Sequence, residues 1–194
     1  VTLSLGIAVG GWSRVLEDAV RGLVERFGLT VVVAAGNSNA DACYVAPANV
    51  PEVITVAALG RGNASASGAG REPAYRYGNS GPCVDLLAPG VDIYSACGSP
   101  DRCAAFGDDA YTYASGTSMA VPHVAGVAAM YLEAHPEAAP AEVAAALLAA
   151  AASGAVDAAG LKPGTANRVL QSRLEPGVVE AADGRRGAGR RRGA

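Results

Sequence analysis

Large rings are scarce in this chain, with two Phe and one Trp among 194 residues. A core built on aromatics is thereby excluded, and Val, Leu and the very abundant Ala must supply it. Charge is sparse too, at 17% Asp, Glu, Lys and Arg with a formal net charge of −3. That balance argues against nucleic acid as a main partner, because neutralising phosphates takes a basic surface. No apolar run reaches the roughly 18 to 20 residues of a membrane-spanning helix, the Ala-rich stretch from Val143 to Ala152 being far too short. No membrane partner is expected. The four cysteines, Cys43, Cys83, Cys97 and Cys103, contain no Cys-x-x-Cys spacing, and the only histidines, His123 and His135, lie elsewhere, so a zinc site is excluded. An even count suits an oxidising compartment and leaves three pairings open. The chain also starts without Met or a leader, in residues that look like a core strand, and is expected to be a piece of a longer protein.

What is present is a globular composition, 51% apolar, in a length that can bury one sizeable core. Val1-Thr-Leu-Ser-Leu5 reads as a strand stopped by Gly6. Trp12 to Phe27 has apolar residues near helical spacing, at Val15, Leu16, Ala19, Val20, Leu23, Val24 and Phe27, which predicts a surface helix with one buried face. Thr30 to Ala35 is a continuous β-branched run, the mark of a strand covered on both faces, and Gly36-Asn-Ser-Asn39 turns the chain. Strand, helix and buried strand form a βαβ unit, hence a parallel sheet, with ligands expected beyond the carboxyl ends of its strands. A further strand is expected from about Val53, after a loop pinned by Pro47 and Pro51, and a short one before Pro89-Gly90. Arg61 to Tyr77 has no period and reads as an irregular loop, in which Asn63-Ala-Ser65 fits a glycosylation acceptor.

Ser118 stands where a glycine-bearing turn gives way to a small-residue apolar run, expected to be a buried helix from about Thr117 that Pro122 bends or loosens. A serine there is either an ordinary N-cap or a nucleophile beside unpaired backbone N–H groups and the positive end of the helix dipole. His123 follows five residues later, about 140° around a helix of 3.6 residues per turn, so it cannot accept the Ser118 proton and is read as structural. His135 lies near a helix end and is given no catalytic role. Pro140 to Ala152 predicts another helix.

The string Gly116-Thr-Ser-Met-Ala-Val-Pro-His-Val-Ala-Gly126 resembles the catalytic-serine motif of the subtilisin-like serine proteases, and Ala34-Ala-Gly-Asn37, Pro47-Ala, Gly78 to Gly90 and Gly164 to Leu170 resemble further segments of that family. The resemblance covers about residues 1 to 170. It implies an α/β fold, a three-layer domain with a mostly parallel central sheet, incomplete at its N-terminal side. Residues 1–175 are taken as the C-terminal portion of a catalytic domain, and residues 176–194, rich in Gly, Ala and Arg, as a disordered basic tail.

By the same resemblance Ser118 is the nucleophile and Asn37 the oxyanion-hole donor, while Ser4, Leu5, Gly6, Ala34, Ala35 and Gly36 contact substrate. Cys43 is expected to pair with Cys83, as in proteinase-K-like members, which leaves Cys97 and Cys103 to close a short loop. No cofactor is required, and a structural calcium would be held at Pro51, Val53 and Asp85. The implied partners are polypeptide substrates and an upstream propeptide, acting on a secreted monomer. Family members carry the triad Asp and His upstream, in Asp-Thr/Ser-Gly and His-Gly-Thr-His motifs. Neither motif occurs in these 194 residues, so the chain alone is expected to be an inactive serine endopeptidase fragment. The alternative is a non-catalytic interaction domain of the same fold.

Overall fold

A computed structural model describes residues 1–11, 13–60, 71–97 and 110–173. Asn63, Cys103 and the basic tail lie outside the described residues, as does most of the irregular loop from Arg61.

The central sheet contains β1 (Thr2–Leu3), β2 (Val32–Ala34), β3 (Ile54–Leu59), β4 (Leu86–Pro89), β7 (Ala152–Ser153) and β8 (Arg168–Val169), in the order β1-β2-β3-β4-β8-β7. Every pairing is parallel except β7 with β8. Strand alternation sorts the core into two layers. Val32, Ala34, Ile54, Val56, Ala58, Leu86 and Ala88 face the helices α2 (Thr117–Ala134) and α3 (Pro140–Ala150). Val31, Val33, Ala35, Ala57, Leu59 and Leu87 face the other way, toward α1 (Arg14–Glu25) and the loop around Ala42 to Val53. The expected three-layer arrangement with a mostly parallel sheet is present. β5 (Ile93–Ala96) and β6 (Tyr111–Ala114) form a separate antiparallel ribbon whose Tyr94, Tyr111 and Tyr113 rings lie against one another.

Two helices depart from their sequence patterns. Helix α1 begins after Ser13, whose hydroxyl accepts from Leu16 N, and ends at Glu25, so Phe27 falls outside it, while Trp12 lies outside the described residues. Its buried stripe is narrower than expected, formed by Leu16, Val20, Leu23 and Val24, while Val15 is 82% and Phe27 68% exposed. Val15 and Ala19 are an i, i+4 pair one position ahead of that stripe and so turn to solvent. The apolar pattern of α2 predicts burial all round. The sheet and α3 cover only one side of it, leaving Pro122, Gly126, Ala129 and Met130 exposed. It also runs through Pro122 without interruption.

Cys43 and Cys83 form the expected disulfide, joining the short 3₁₀ turn Ala42–Tyr44 to the approach to β4. Cys97 is also disulfide-bonded. Arg21 links α1 to the entry of β3 through Glu52, with Nε 3.4 Å from Oε2.

Candidate active site

Because β1 and β2 are parallel neighbours, the chain leaves both at the same end of the sheet, carrying Ser4 from one and Asn37 from the other. Helix α2 packs across β1 to β4 and presents its N-terminus at that end. The three segments enclose a cleft of about 190 Å³ to which Ser4, Leu5, Gly6, Ala34, Gly36, Asn37 and Ser118 all contribute. Ala35 does not line it. Strand alternation turns its side chain into the opposite layer, where it is fully buried, while its neighbours Ala34 and Gly36 border the cleft.

The cap reading of Ser118 does not hold. The N-cap of α2 is Gly116, with no side-chain cap bond, and both following hydroxyls are engaged elsewhere. Thr117 is fully buried, and its Oγ1 accepts from Gly36 N at 3.1 Å while donating to Asn37 Oδ1 at 3.1 Å. Thr117 N also donates to Asn37 Oδ1, at 2.8 Å. With its oxygen held twice by Thr117, the Asn37 amide has Nδ2 as its remaining polar group, a donor beside the cleft. Gly116, at φ +150, passes so close that a Cβ there would lie 3.1 Å from that Nδ2.

Ser118 Oγ donates to Ser4 O at 3.3 Å, and Ser4 Oγ donates to Ser118 O at 3.0 Å. Pro122 explains the second bond. In an unbroken helix Ser118 O would accept from the N–H four residues on, and proline has none, so the Ser4 hydroxyl takes the vacant carbonyl. Such a bond contributes on the order of 1 kcal/mol.

Neither histidine serves Ser118. His123 Nδ1 lies 2.9 Å from Met119 O and His135 Nδ1 lies 3.1 Å from Tyr131 O, each donating to a carbonyl of its own helix. The geometry therefore gathers a serine hydroxyl and an asparagine amide on one cleft, together with the backbone N–H groups of a helix N-terminus. Thr117 and Asn79 were missed by sequence reasoning. Thr117 looked like a helix start, and Asn79, 1% exposed at the inner wall of the cleft, looked like turn chemistry in Gly78-Asn-Ser.

At the opposite ends of β3 and β4 lies a second cavity, of about 280 Å³, bordered by Pro51, Glu52, Val53 and Asp85. Asp85 Oδ2 accepts from Thr55 N at 2.9 Å, which anchors the carboxylate there. The donor set that these residues offer, backbone carbonyls and a carboxylate, is the hard-oxygen set that suits calcium. Among the described residues there is no cluster of three or more His, Cys, Asp or Glu side chains.

Known proteins resemble this chain. The subtilase family model matches residues 1–185. The chain is 44% identical over 148 residues to an extracellular serine proteinase of Thermus sp. strain Rt41A, covering 76% of this chain and 31% of the relative. It is 39% identical over 170 residues to alkaline serine exoprotease A of Vibrio alginolyticus, covering 88% and 27%. A solved cold-adapted subtilisin-like serine proteinase superposes with a TM-score of 0.72 at 38% identity, over 90% of this chain and 55% of that one. A protease of Pseudoalteromonas arctica superposes at 0.69 with 29% identity, over 88% and 48%. The chain thus spans about a third or less of the curated relatives and about half of the solved ones. Its family match, its relatives and its parallel sheet with a serine at the N-terminus of α2 together make it a member of the subtilase family.

Proposed function

We propose that the protein containing these residues is a serine endopeptidase that cleaves polypeptides through an acyl-enzyme. The observation that carries this reading is the convergence of Ser118 Oγ and the Asn37 amide on one cleft at the sheet's carboxyl ends. Ser118 Oγ attacks the scissile carbonyl, its proton passing to a base as the C–O bond forms. The carbonyl oxygen, now negative, takes hydrogen bonds from Asn37 Nδ2 and the Ser118 backbone N–H. Collapse of the tetrahedral adduct breaks the C–N bond, the amine leaves with the proton, and water releases the acid by the same steps in reverse. The base and its orienting carboxylate are taken to come from polypeptide outside these 194 residues, since Ser118 Oγ donates to Ser4 O and to neither histidine, and His123 lies about 140° around α2 from it.

That polypeptide completes the sheet at the open edge of β1, which is terminal among the described strands. The 194 residues alone then show no more than trace hydrolysis. We also propose secretion, a reading supported by the disulfides and by the extracellular naming of the Thermus relative. A structural calcium is proposed in the Asp85 cavity, held by Asp85 and the carbonyls of Pro51 and Val53, where it would tie the entries of β3 and β4 together.

The deciding experiment treats the full-length protein with a fluorophosphonate probe and locates the adduct by peptide mapping. Labelling at Ser118, lost in Ser118→Ala together with peptide hydrolysis, supports the reading. A full-length protein that neither labels nor hydrolyses peptides is a non-catalytic member, and the reading is wrong.

A further inference from the structure

Asn37 projects from the segment Ala35 to Ala40, which carries no regular secondary structure and yet must hold one amide in a fixed direction. A single residue grips that segment on both sides of Asn37. Asn79 Nδ2 donates to Ala35 O at 2.8 Å, and Asn79 Oδ1 accepts from Ser38 N at 2.9 Å and from Ala40 N at 2.9 Å. Its own backbone N donates to Gly36 O at 2.8 Å. Both lone pairs of the amide oxygen are used, which leaves no tolerance for rotation about the last side-chain bond.

The approach is close enough to dictate the neighbouring residue. Gly36 has φ +101, and a Cβ there would overlap Asn79 Nδ2. Asn79 is 1% exposed, so its bonds compete with no solvent. Residue 37 is the one position between 35 and 38 that Asn79 skips, and Thr117 takes its side-chain oxygen instead. The segment is thus held from one side by Asn79 and from the other by the first turn of α2.

We infer that Asn79 is a positioning residue for catalysis, aligning the Asn37 amide with the oxyanion that forms at Ser118. The inference rests on the endopeptidase reading. Asn79 does not touch the reacting atoms; it fixes where Nδ2 of Asn37 can be when the negative charge develops. An ordinary structural asparagine would lower stability when removed but leave the turnover of correctly folded molecules unchanged.

The test is a double-substitution cycle on the full-length protein, with kcat expressed per active site titrated by the fluorophosphonate. Asn79→Ala is expected to lower kcat at least about tenfold with KM nearly unchanged, a misplacement of 1 Å at such a group costing up to about 10²-fold. In an Asn37→Ala background the same change should alter kcat less than about threefold, because the amide it aligns is already gone. Asn79→Asp keeps the two bonds from Ser38 N and Ala40 N and should recover part of the loss. If Asn79→Ala does not fold, Gly36→Ala displaces the same amide by collision and is read in the same cycle.

Equal losses in both backgrounds, or a fall only in the number of titratable sites, would overturn the inference. A normal kcat in Asn37→Ala would instead overturn the oxyanion assignment and the functional reading with it. A lowered kcat in Asn37→Ala beside an unchanged one in both Asn79→Ala and Gly36→Ala would sink this inference alone.

Discussion

Ser4 and Ser118 exchange two hydrogen bonds, the hydroxyl of each donating to the carbonyl of the other at 3.0 and 3.3 Å. The pair spans 114 residues of sequence and fastens the end of β1 to the first turn of α2. Ser4→Ala leaves Ser118 O without a donor, because Pro122 offers none. A loss of about 1 kcal/mol in unfolding free energy is expected by denaturant titration, with a measurable fall in kcat as the serine backbone loosens. Pro122→Ala combined with Ser4→Ala should return stability, since the helix then supplies the missing N–H itself.

Asn37→Ala removes the side-chain donor that the proposed mechanism assigns to the oxyanion. A fall in kcat of about 10² to 10³ with little change in KM is expected from steady-state kinetics of the full-length protein, a range taken over from subtilisin's own oxyanion-hole asparagine. Asn37→Asp should do no better, because it puts like charge where charge develops.

Cys43 and Cys83 are 40 residues apart and join the loop under the cleft wall to the approach to β4. By the chain-entropy relation a closed loop of this length stabilises by about 4 kcal/mol. Replacing both by Ser should lower the thermal midpoint, read by circular dichroism, and treatment with a reductant should move the unmodified protein in the same direction.

Calcium at the Asp85 cavity predicts a linkage between the ion and stability. At a free concentration a thousand times its dissociation constant, a bound ion adds about 4 kcal/mol. The thermal midpoint should therefore rise with calcium and fall with chelator. Asp85→Asn should abolish that dependence, and a midpoint insensitive to calcium in the unmodified protein would exclude the site.

The legible and illegible parts of this molecule differ in range along the chain. That Ser118 and Asn37 border one cleft was readable because each sits in a contiguous string at the end of a strand or the start of a helix, and the β-branched run at Val31 to Val33 announced a strand buried on both faces. Asn79 was not. Its side-chain partners lie 39 to 44 residues away, and only the return of the chain beside the cleft distinguishes it from a turn asparagine. Ala35 was placed with its neighbours in the cleft, although strand alternation, countable in advance, sends it to the other layer. The exposed face of α2 is a case of a different kind. Small apolar residues on every side of a helix say that it can be buried, and what covers it depends on the other elements.

Helix α2 lies across four strands of the sheet and against α3, and its first turn carries Ser118. Amides in such an element exchange with solvent only when the packed unit around them opens as a whole. Ser118 then has no partially unfolded state of its own. Hydrogen exchange in the buried turns of α2 should report the global stability of the domain. Thr117 ties Gly36 and Asn37 to that same first turn, so activity should fade with heat or denaturant together with the global unfolding signal and not ahead of it.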